Sequence, residues 1–326
     1  MKNNYHWKSD LSTLLKGYLA EKQMTGFKFQ KQGRELERFD DYYSRNGYSG
    51  IRLTKTMVNG FIYDSVFEKP STHYKKEILL NSLAEFLTRQ GYTVFVPPIK
   101  SATKKRCSHI PYIFSNEELK QFFLAIDEYP RTNQTNRNTI DPVLFRLLYG
   151  SGLRVSEALN LQCRDIDLES GTITILHSKN NRDRLVPVAA SLVEKFRKLL
   201  SELHIFSDQS THFFISPTGG KLDQSTVYCR FRDYLLLAGI SHPEHGPRVH
   251  DFRHVFAVHC LKKWVLSGEE LTTLMPYLAA YMGHADFRGT QYYLRLTADL
   301  YPDIIRRTET EFGYVIPESG DSDENE

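Results

Sequence analysis

The stretch VFVPPIKSATKKRCSHIPYIF, residues 94–114, constrains the fold more than any other part of the chain. Three prolines and a basic cluster interrupt a sequence that, on both sides, repeats its apolar residues at helical spacing. Proline fixes φ and removes a backbone donor, so no helix runs through such a segment. It reads as a linker, extended around Pro97-Pro98, that separates two modules. A chain of 326 residues is long enough for each module to have its own core.

Ahead of the linker, SDLSTLLKGYLAEKQ opens at a capping serine or aspartate and repeats Leu11, Leu14, Leu15, Tyr18 and Leu19. RELERFDDYYSR, TKTMVNGFIYDSV and THYKKEILLNSLAEFLTRQG follow, with almost no strand pattern. A module of about four helices is predicted. After the linker, SNEELKQFFLAI carries Ser115 and Glu118 at capping-box spacing. DPVLFRLLYGSGLRVSEALNLQ reads as two helical stretches broken by Gly150 and Gly152. GTITILHSKNNRDRLVPVAA reads as two strands joined by a polar turn, and FFISPTGGKL as a short strand and turn. RVHDFRHVFAVHCLKKWVLSG, EELTTLMPYLAAYMGH and TQYYLRLTADL return to helical spacing. The expected architecture is mainly α with a small β-hairpin or sheet, in two domains. Residues 1–96 form the first, 97–111 the linker, 112–313 the second, and 314–326 an acidic tail expected to be disordered.

Charge narrows the function classes. Residues 1–105 hold 18 Lys and Arg against 10 Asp and Glu, while the rest hold 24 against 29. A basic N-terminal region suits a polyanion, because neutralised phosphates release counterions. A solvated basic surface would look the same, so charge alone does not decide. No run of about 18 apolar residues suggests a membrane span, and the start lacks the order of a secretory signal. The expectation is a cytoplasmic protein. Cys107, Cys163, Cys229 and Cys260 are far apart with no CxxC pair, as in reduced structural thiols.

Several motifs carry little. GSGLRV lacks the third glycine and preceding strand of a dinucleotide turn, and no Gly-rich Lys-Ser/Thr loop is present. His242 and His245 read as polar loop residues, and His254 and His259 as structural histidines on a helix. What remains is a set of phosphate-binding and proton-transfer groups beside helix breaks. Arg154 follows a glycine turn with Glu157 three residues on, where a carboxylate can brace a guanidinium. Lys179 lies in the polar hairpin turn, His250 and Arg253 stand three apart, and His284 precedes the pair Tyr292-Tyr293.

The segments YGSGLRVSEALNL, SKNNRDRLVPV, HDFRH and MGHADFRGTQYY, in that order, resemble the tyrosine recombinases, the phage-integrase-like enzymes that cut and rejoin DNA. The resemblance covers roughly Ile110 to Leu300, and less specifically the N-terminal helices, which look like a core-binding, SAM-like domain. It implies that Arg154 and Arg253 hold the scissile phosphate, with Glu157 supporting the first. It implies Lys179 as the hairpin lysine, His250 and His284 as the site histidines, and Tyr293 as the nucleophile. Helical spacing concurs on the tyrosine: Tyr292, Leu296 and Leu300 make an apolar stripe, and Tyr293 is turned off it.

Further expectations follow from the likeness. The partner is double-stranded DNA, cut through a 3′-phosphotyrosine link with no metal, cofactor or ATP. The working form is a homo-oligomer, four protomers on two sites, with an accessory DNA-bending or directionality protein as a further partner. LYPDIIRRTETEF could be a helix exchanged with a neighbour or one packed on its own domain. Lys104, Lys105 and Arg106 in the linker are candidate DNA contacts. Met282 and Phe252 replace the usual leucines of their motifs, and the Arg253–His284 stretch is long. Both that stretch and the linker are more like integrases of transposons and other mobile elements. A type IB topoisomerase, or a DNA-binding regulator on the same scaffold, is the competing reading.

Overall fold

The computed structural model describes residues 5–26, 29–63, 67–99, 111–130, 136–176, 183–243 and 246–284, with Thr290 and Tyr293. Lys104, Lys105, Arg106, Lys179, Tyr292, the possible exchange helix and the acidic tail lie outside the described residues. The chain divides into two compact units, Met1–Ser108 and His109–Glu326.

In the first unit four helices, α1 (Ser12–Met24), α2 (Gln30–Arg45), α3 (Lys55–Ile62) and α4 (Pro70–Arg89), enclose one core. Leu15, Tyr18, Leu36, Phe39, Tyr43, Val58, Leu80 and Leu83 are among its fully buried members, at the three- and four-residue steps seen in the sequence. The side-chain cap expected from Ser9 or Asp10 does not form. The buried carboxylate of Asp40 takes both the Ser9 N–H and its hydroxyl, along with the Lys8 N–H and the Tyr5 hydroxyl. Asp10 in turn accepts from the Gly50 N–H at 2.6 Å. Both capping candidates are therefore used to fasten the N-terminal segment to other parts of the unit. A buried carboxylate needs such donors, since leaving one unsatisfied would cost about 1–3 kcal/mol or more.

The second unit begins with α5 (Asn116–Asp127), whose capping box between Ser115 and Glu118 is formed in both directions. Helix α6 (Arg137–Ser151) lies against α5, α8 (Ala190–Leu203) and α10 (Asp251–Leu266). Phe122, Phe145, Phe231 and Phe252 fill the centre of this core. Where α6 meets α9 (Gln224–Leu237), Asp141 is fully buried but accepts from Arg230 and Tyr234, both at 2.8 Å. Gly150 stays inside α6, so only Gly152 ends it, contrary to the two-glycine break expected. Gly152 has φ 59°, and a Cβ there would come within 2.6 Å of the Phe256 ring. Glycine is needed on both counts, which brings α6 and α10 close together at this point.

Three short strands form an antiparallel sheet in the order β1 (Ile166–Asp167), β2 (Thr172–Ile175), β3 (Arg184–Pro187). Ile173 pairs with Val186 and Ile175 with Arg184, and the three apolar members of these pairs are buried. The FFISPTGGKL segment makes one isolated bridge, Ile215 with Lys221, instead of a named strand. Helices α10 and α11 (Leu271–Met282) close a small second cluster of Ala257, Val258, Leu261, Met275, Leu278 and Met282. Among the described residues, no helix is long and apolar enough to cross a membrane.

Candidate active site

Beyond Gly152 the backbone is extended at Arg154, and α7 (Val155–Asn160) begins at the next residue. The Glu157 carboxylate folds back over this helix start. It accepts from the Arg154 N–H at 3.0 Å and from Arg154 Nη1 at 2.7 Å. An exposed pair at this spacing would be worth little, but Glu157 is only 7% exposed. A third donor group, the guanidinium of Arg184 on β3, binds the same carboxylate through Nη1 at 3.3 Å and Nη2 at 2.9 Å. Burial pushes the Glu157 carboxyl up, but Arg184 and then Arg154 outweigh it and hold the group below its ordinary value.

Arg253, in the first turn of α10, is 2% exposed. Nη1 donates to the Gly152 carbonyl at 2.6 Å and Nη2 to the Met282 carbonyl at 2.7 Å. Five N–H donors are available on a guanidinium, so donors remain beyond these two bonds. Burial pushes its pKa down to about 10, opposed chiefly by Tyr293, with Arg154, Glu157 and Arg184 also felt electrostatically. It is still a cation at neutral pH.

Helix α11 ends at Gly283, φ 67°, with Gly283 N–H bonded to Ala280 and His284 N–H to Ala279. This Schellman ending satisfies two of the terminal carbonyls. Two more are taken by guanidiniums, Tyr281 by Arg184 Nε at 2.9 Å and Met282 by Arg253. Cations at a helix C-terminus also oppose the helix dipole. The ending delivers His284, whose Nδ1 is 2.8 Å from the buried Thr290 hydroxyl. Its ring lies nearly parallel to that of Tyr293, at 5.8 Å and 19°.

Tyr293 is 4% exposed and packs on the α10–α11 cluster. The helical-stripe argument turned it away from the core, and this is corrected: the Tyr293 ring is itself in a core. The reason is that His254 and His284 make an aromatic slot for it, with His254 at 5.4 Å. A stripe of leucines farther along the chain carries no information about that slot. His250, exposed at the start of α10, sets its ring edge-on to His254 at 5.1 Å.

Of the residues singled out in the sequence, Arg154, Glu157, Arg253, His284 and Tyr293 therefore converge, and His250 reaches the group through His254. Three residues at the site were not picked out. Arg184 lies in the RDRLVPV stretch, where only Lys179 ahead of it is singled out, His254 reads as structural, and Thr290 has no signal in the sequence. A charged residue opening a strand whose neighbours alternate toward the core is the one clue to Arg184. The arrangement sets two guanidiniums on one carboxylate and holds a third, Arg253, by the Gly152 and Met282 carbonyls. Planar, multiply donating cations of this kind recognise phosphate oxygens in pairs. Among the described residues, no group of three or more His, Cys, Asp or Glu could hold a metal ion.

A model of the phage integrase family matches residues 114–299. The chain is 34% identical over 299 residues to an integrase/recombinase, y4rB, of Sinorhizobium fredii, across 90% of this chain and 95% of that protein. It is 28% identical over 302 residues to the tyrosine recombinase XerC of Oceanobacillus iheyensis, across 89% and 92%. Its fold is similar to that of a XerH site-specific recombinase bound to palindromic difH substrate, with a TM-score of 0.61 and 21% identity over 87% of this chain and 79% of that one.

Proposed function

The chain belongs to the phage integrase family and is a tyrosine-type site-specific DNA recombinase, and we propose that Tyr293 is its nucleophile. The observation that carries this reading is the position of the Tyr293 ring, buried and packed against the rings of His254 and His284. In the proposed reaction the phenol oxygen attacks the scissile phosphorus, and the bond from phosphorus to the 5′ oxygen breaks. The phenol proton leaves through a site histidine, and Lys179 supplies a proton to the departing 5′ oxygen. The product is a 3′-phosphotyrosyl link and a free 5′ hydroxyl. Because that link conserves the bond energy, the same 5′ hydroxyl or another can reverse the step without ATP.

Negative charge builds on the nonbridging oxygens during attack. Arg154 and Arg253 are proposed to receive it, as preorganised donors that need no rearrangement at the moment of reaction. Glu157 keeps Arg154 aimed. His284, oriented through Thr290, and His250 are placed to move protons at either end of the reaction. The partner is double-stranded DNA carrying specific sites, and the working form is a tetramer on two sites, assisted by an accessory DNA-bending or directionality protein. The N-terminal helical unit is the proposed core-binding domain, and the linker cations Lys104, Lys105 and Arg106 contact its phosphates. The long Arg253–His284 stretch supports integration and excision of a mobile element as the biological use.

Trapping tests the nucleophile. A duplex bearing the cognate site and a nick beside the scissile phosphate loses its leaving strand on cleavage, so the adduct accumulates. The expected result is a denaturant-resistant protein–DNA species whose modified peptide contains Tyr293. Tyr293→Phe should abolish it and Tyr292→Phe should keep it; the reverse pattern would move the nucleophile.

A further inference from the structure

The Arg184 side chain is held along its whole guanidinium edge, at Nε, Nη1 and Nη2. Arg184 opens β3, its side chain is 9% exposed, and it ties that strand to two other parts of the chain. Nη1 and Nη2 bind both oxygens of Glu157, while Nε donates to the Tyr281 carbonyl in the last turn of α11. The Tyr281 hydroxyl returns the connection by donating to the Pro187 carbonyl at 2.9 Å, at the far end of the same strand. The guanidinium is also packed against the helix ending itself: a Cβ on Gly283 would lie 2.7 Å from Nη1.

The geometry at Glu157 explains why this matters. A carboxylate offers about four acceptor positions, and here two donors from Arg154 and two from Arg184 fill them. Arg154 is thus held by a carboxylate that is itself held from the opposite side. Without Arg184, Glu157 would be free to turn toward Arg154 alone, and the Arg154 guanidinium would turn with it. The Tyr281 carbonyl would lose its donor one residue before the Met282 carbonyl that anchors Arg253, and three before His284.

We propose that Arg184 is a positioning residue for DNA cleavage: through the shared carboxylate it aims Arg154, and through the end of α11 it locks β3 to the segment that presents His284. The inference rests on the reading of Arg154 and His284 as site residues. Lysine cannot replace it, because one ammonium cannot span a carboxylate and a carbonyl in a planar fork. The charged groups facing Glu157 are Arg154 at the start of α7, Arg184 on β3 and Arg253 on α10. Of these, Arg184 does most to hold the carboxyl ionised.

The experiment uses the full chain and the nicked substrate, with protein saturating over DNA, and follows single-turnover adduct formation against pH. Arg184→Lys and Arg184→Gln should slow cleavage roughly 10- to 100-fold, the scale of a small misplacement of catalytic groups. DNA affinity, measured separately, should stay within about threefold of wild type on the same grounds. In Arg184→Gln the acid limb of the rate profile should move to higher pH, since Glu157 loses the cation that keeps it ionised. A part played only in folding would leave that limb where it is. Should either variant fold poorly, Glu157→Gln and the double variant Glu157→Gln/Arg184→Gln decide: because Arg184 acts in part through Glu157, its removal should slow Glu157→Gln by less than it slows wild type. Multiplying losses, a cleavage rate within twofold of wild type, or an unmoved acid limb overturns the proposal. If wild type forms no adduct, the failure lies with the recombinase chemistry and not with Arg184.

Discussion

Two arginines with one proposed task are held in opposite ways, and the difference sets what each substitution should do. Arg154 is half-buried and anchored through a carboxylate, whereas Arg253 is buried and anchored through two backbone carbonyls. Arg154→Lys keeps the charge but cannot hold Glu157 and offer paired N–H donors to a phosphate together. Cleavage of the nicked substrate should fall roughly 10²- to 10³-fold, the usual effect of losing one charge-stabilising donor, with little change in the folding midpoint. A second residue-scale expectation concerns stability. Asp251, at the start of α10, is buried and its carboxyl is pushed up to about 6, with the Arg248 N–H and charge opposing burial. Its folded value exceeds the ordinary value of about 3.9, so the folded protein prefers the neutral form. That contribution is complete below about pH 4 and is lost as the pH rises through 6. Urea denaturation from pH 4 to 7 should show this decline in wild type and a flatter curve in Asp251→Asn; parallel curves would remove Asp251 as its source.

Elements that depend on local pattern were legible in the sequence, and those that depend on distant partners were not. The capping box of Ser115 and Glu118, the four N-terminal helices and the hairpin all follow from spacing, turn residues and apolar periodicity. The cap at Ser9 failed because Asp40, more than thirty residues away, claims the same hydroxyl. Arg154, Glu157, Arg253 and His284 were legible as a pattern, while Arg184 and Thr290 acquire meaning only once β3 and the segment after α11 meet them. The end of α11 gives this a measurable form. Gly268 and Gly283 both have left-handed φ, but a Cβ at Gly268 would meet nothing within 4 Å while one at Gly283 would press on Arg184. Alanine at either site should cost roughly 1–2 kcal/mol of backbone strain. Only Gly283→Ala should also slow single-turnover cleavage, because only there is the Arg184 clamp displaced. Equal cleavage rates in the two variants would disconnect the helix ending from the chemistry.

At the scale of the whole molecule, the charge is divided as the chemistry would require. Residues 1–105 carry an excess of eight positive charges, and the remainder an excess of five negative ones. In the second unit Arg154, Arg184 and Arg253 are nevertheless gathered at one place, where Glu157 and backbone carbonyls hold them. Affinity for the duplex and stabilisation of the reacting phosphate are then separate properties, the first diffuse and salt-sensitive, the second local and screened from salt by burial. Replacing Lys104, Lys105 and Arg106 together by alanine tests the division. Each lost phosphate contact removes roughly 0.9 from the slope of log affinity against log salt, so the slope should become shallower by about 2 to 3. The cleavage rate at saturating protein should be unchanged, because the arginines proposed to hold the reacting phosphate are Arg154 and Arg253. A slope equal to wild type would mean that these residues meet no phosphate. A slower saturated rate would instead tie the linker to the chemical step, and the separation of binding charge from reacting charge would not hold.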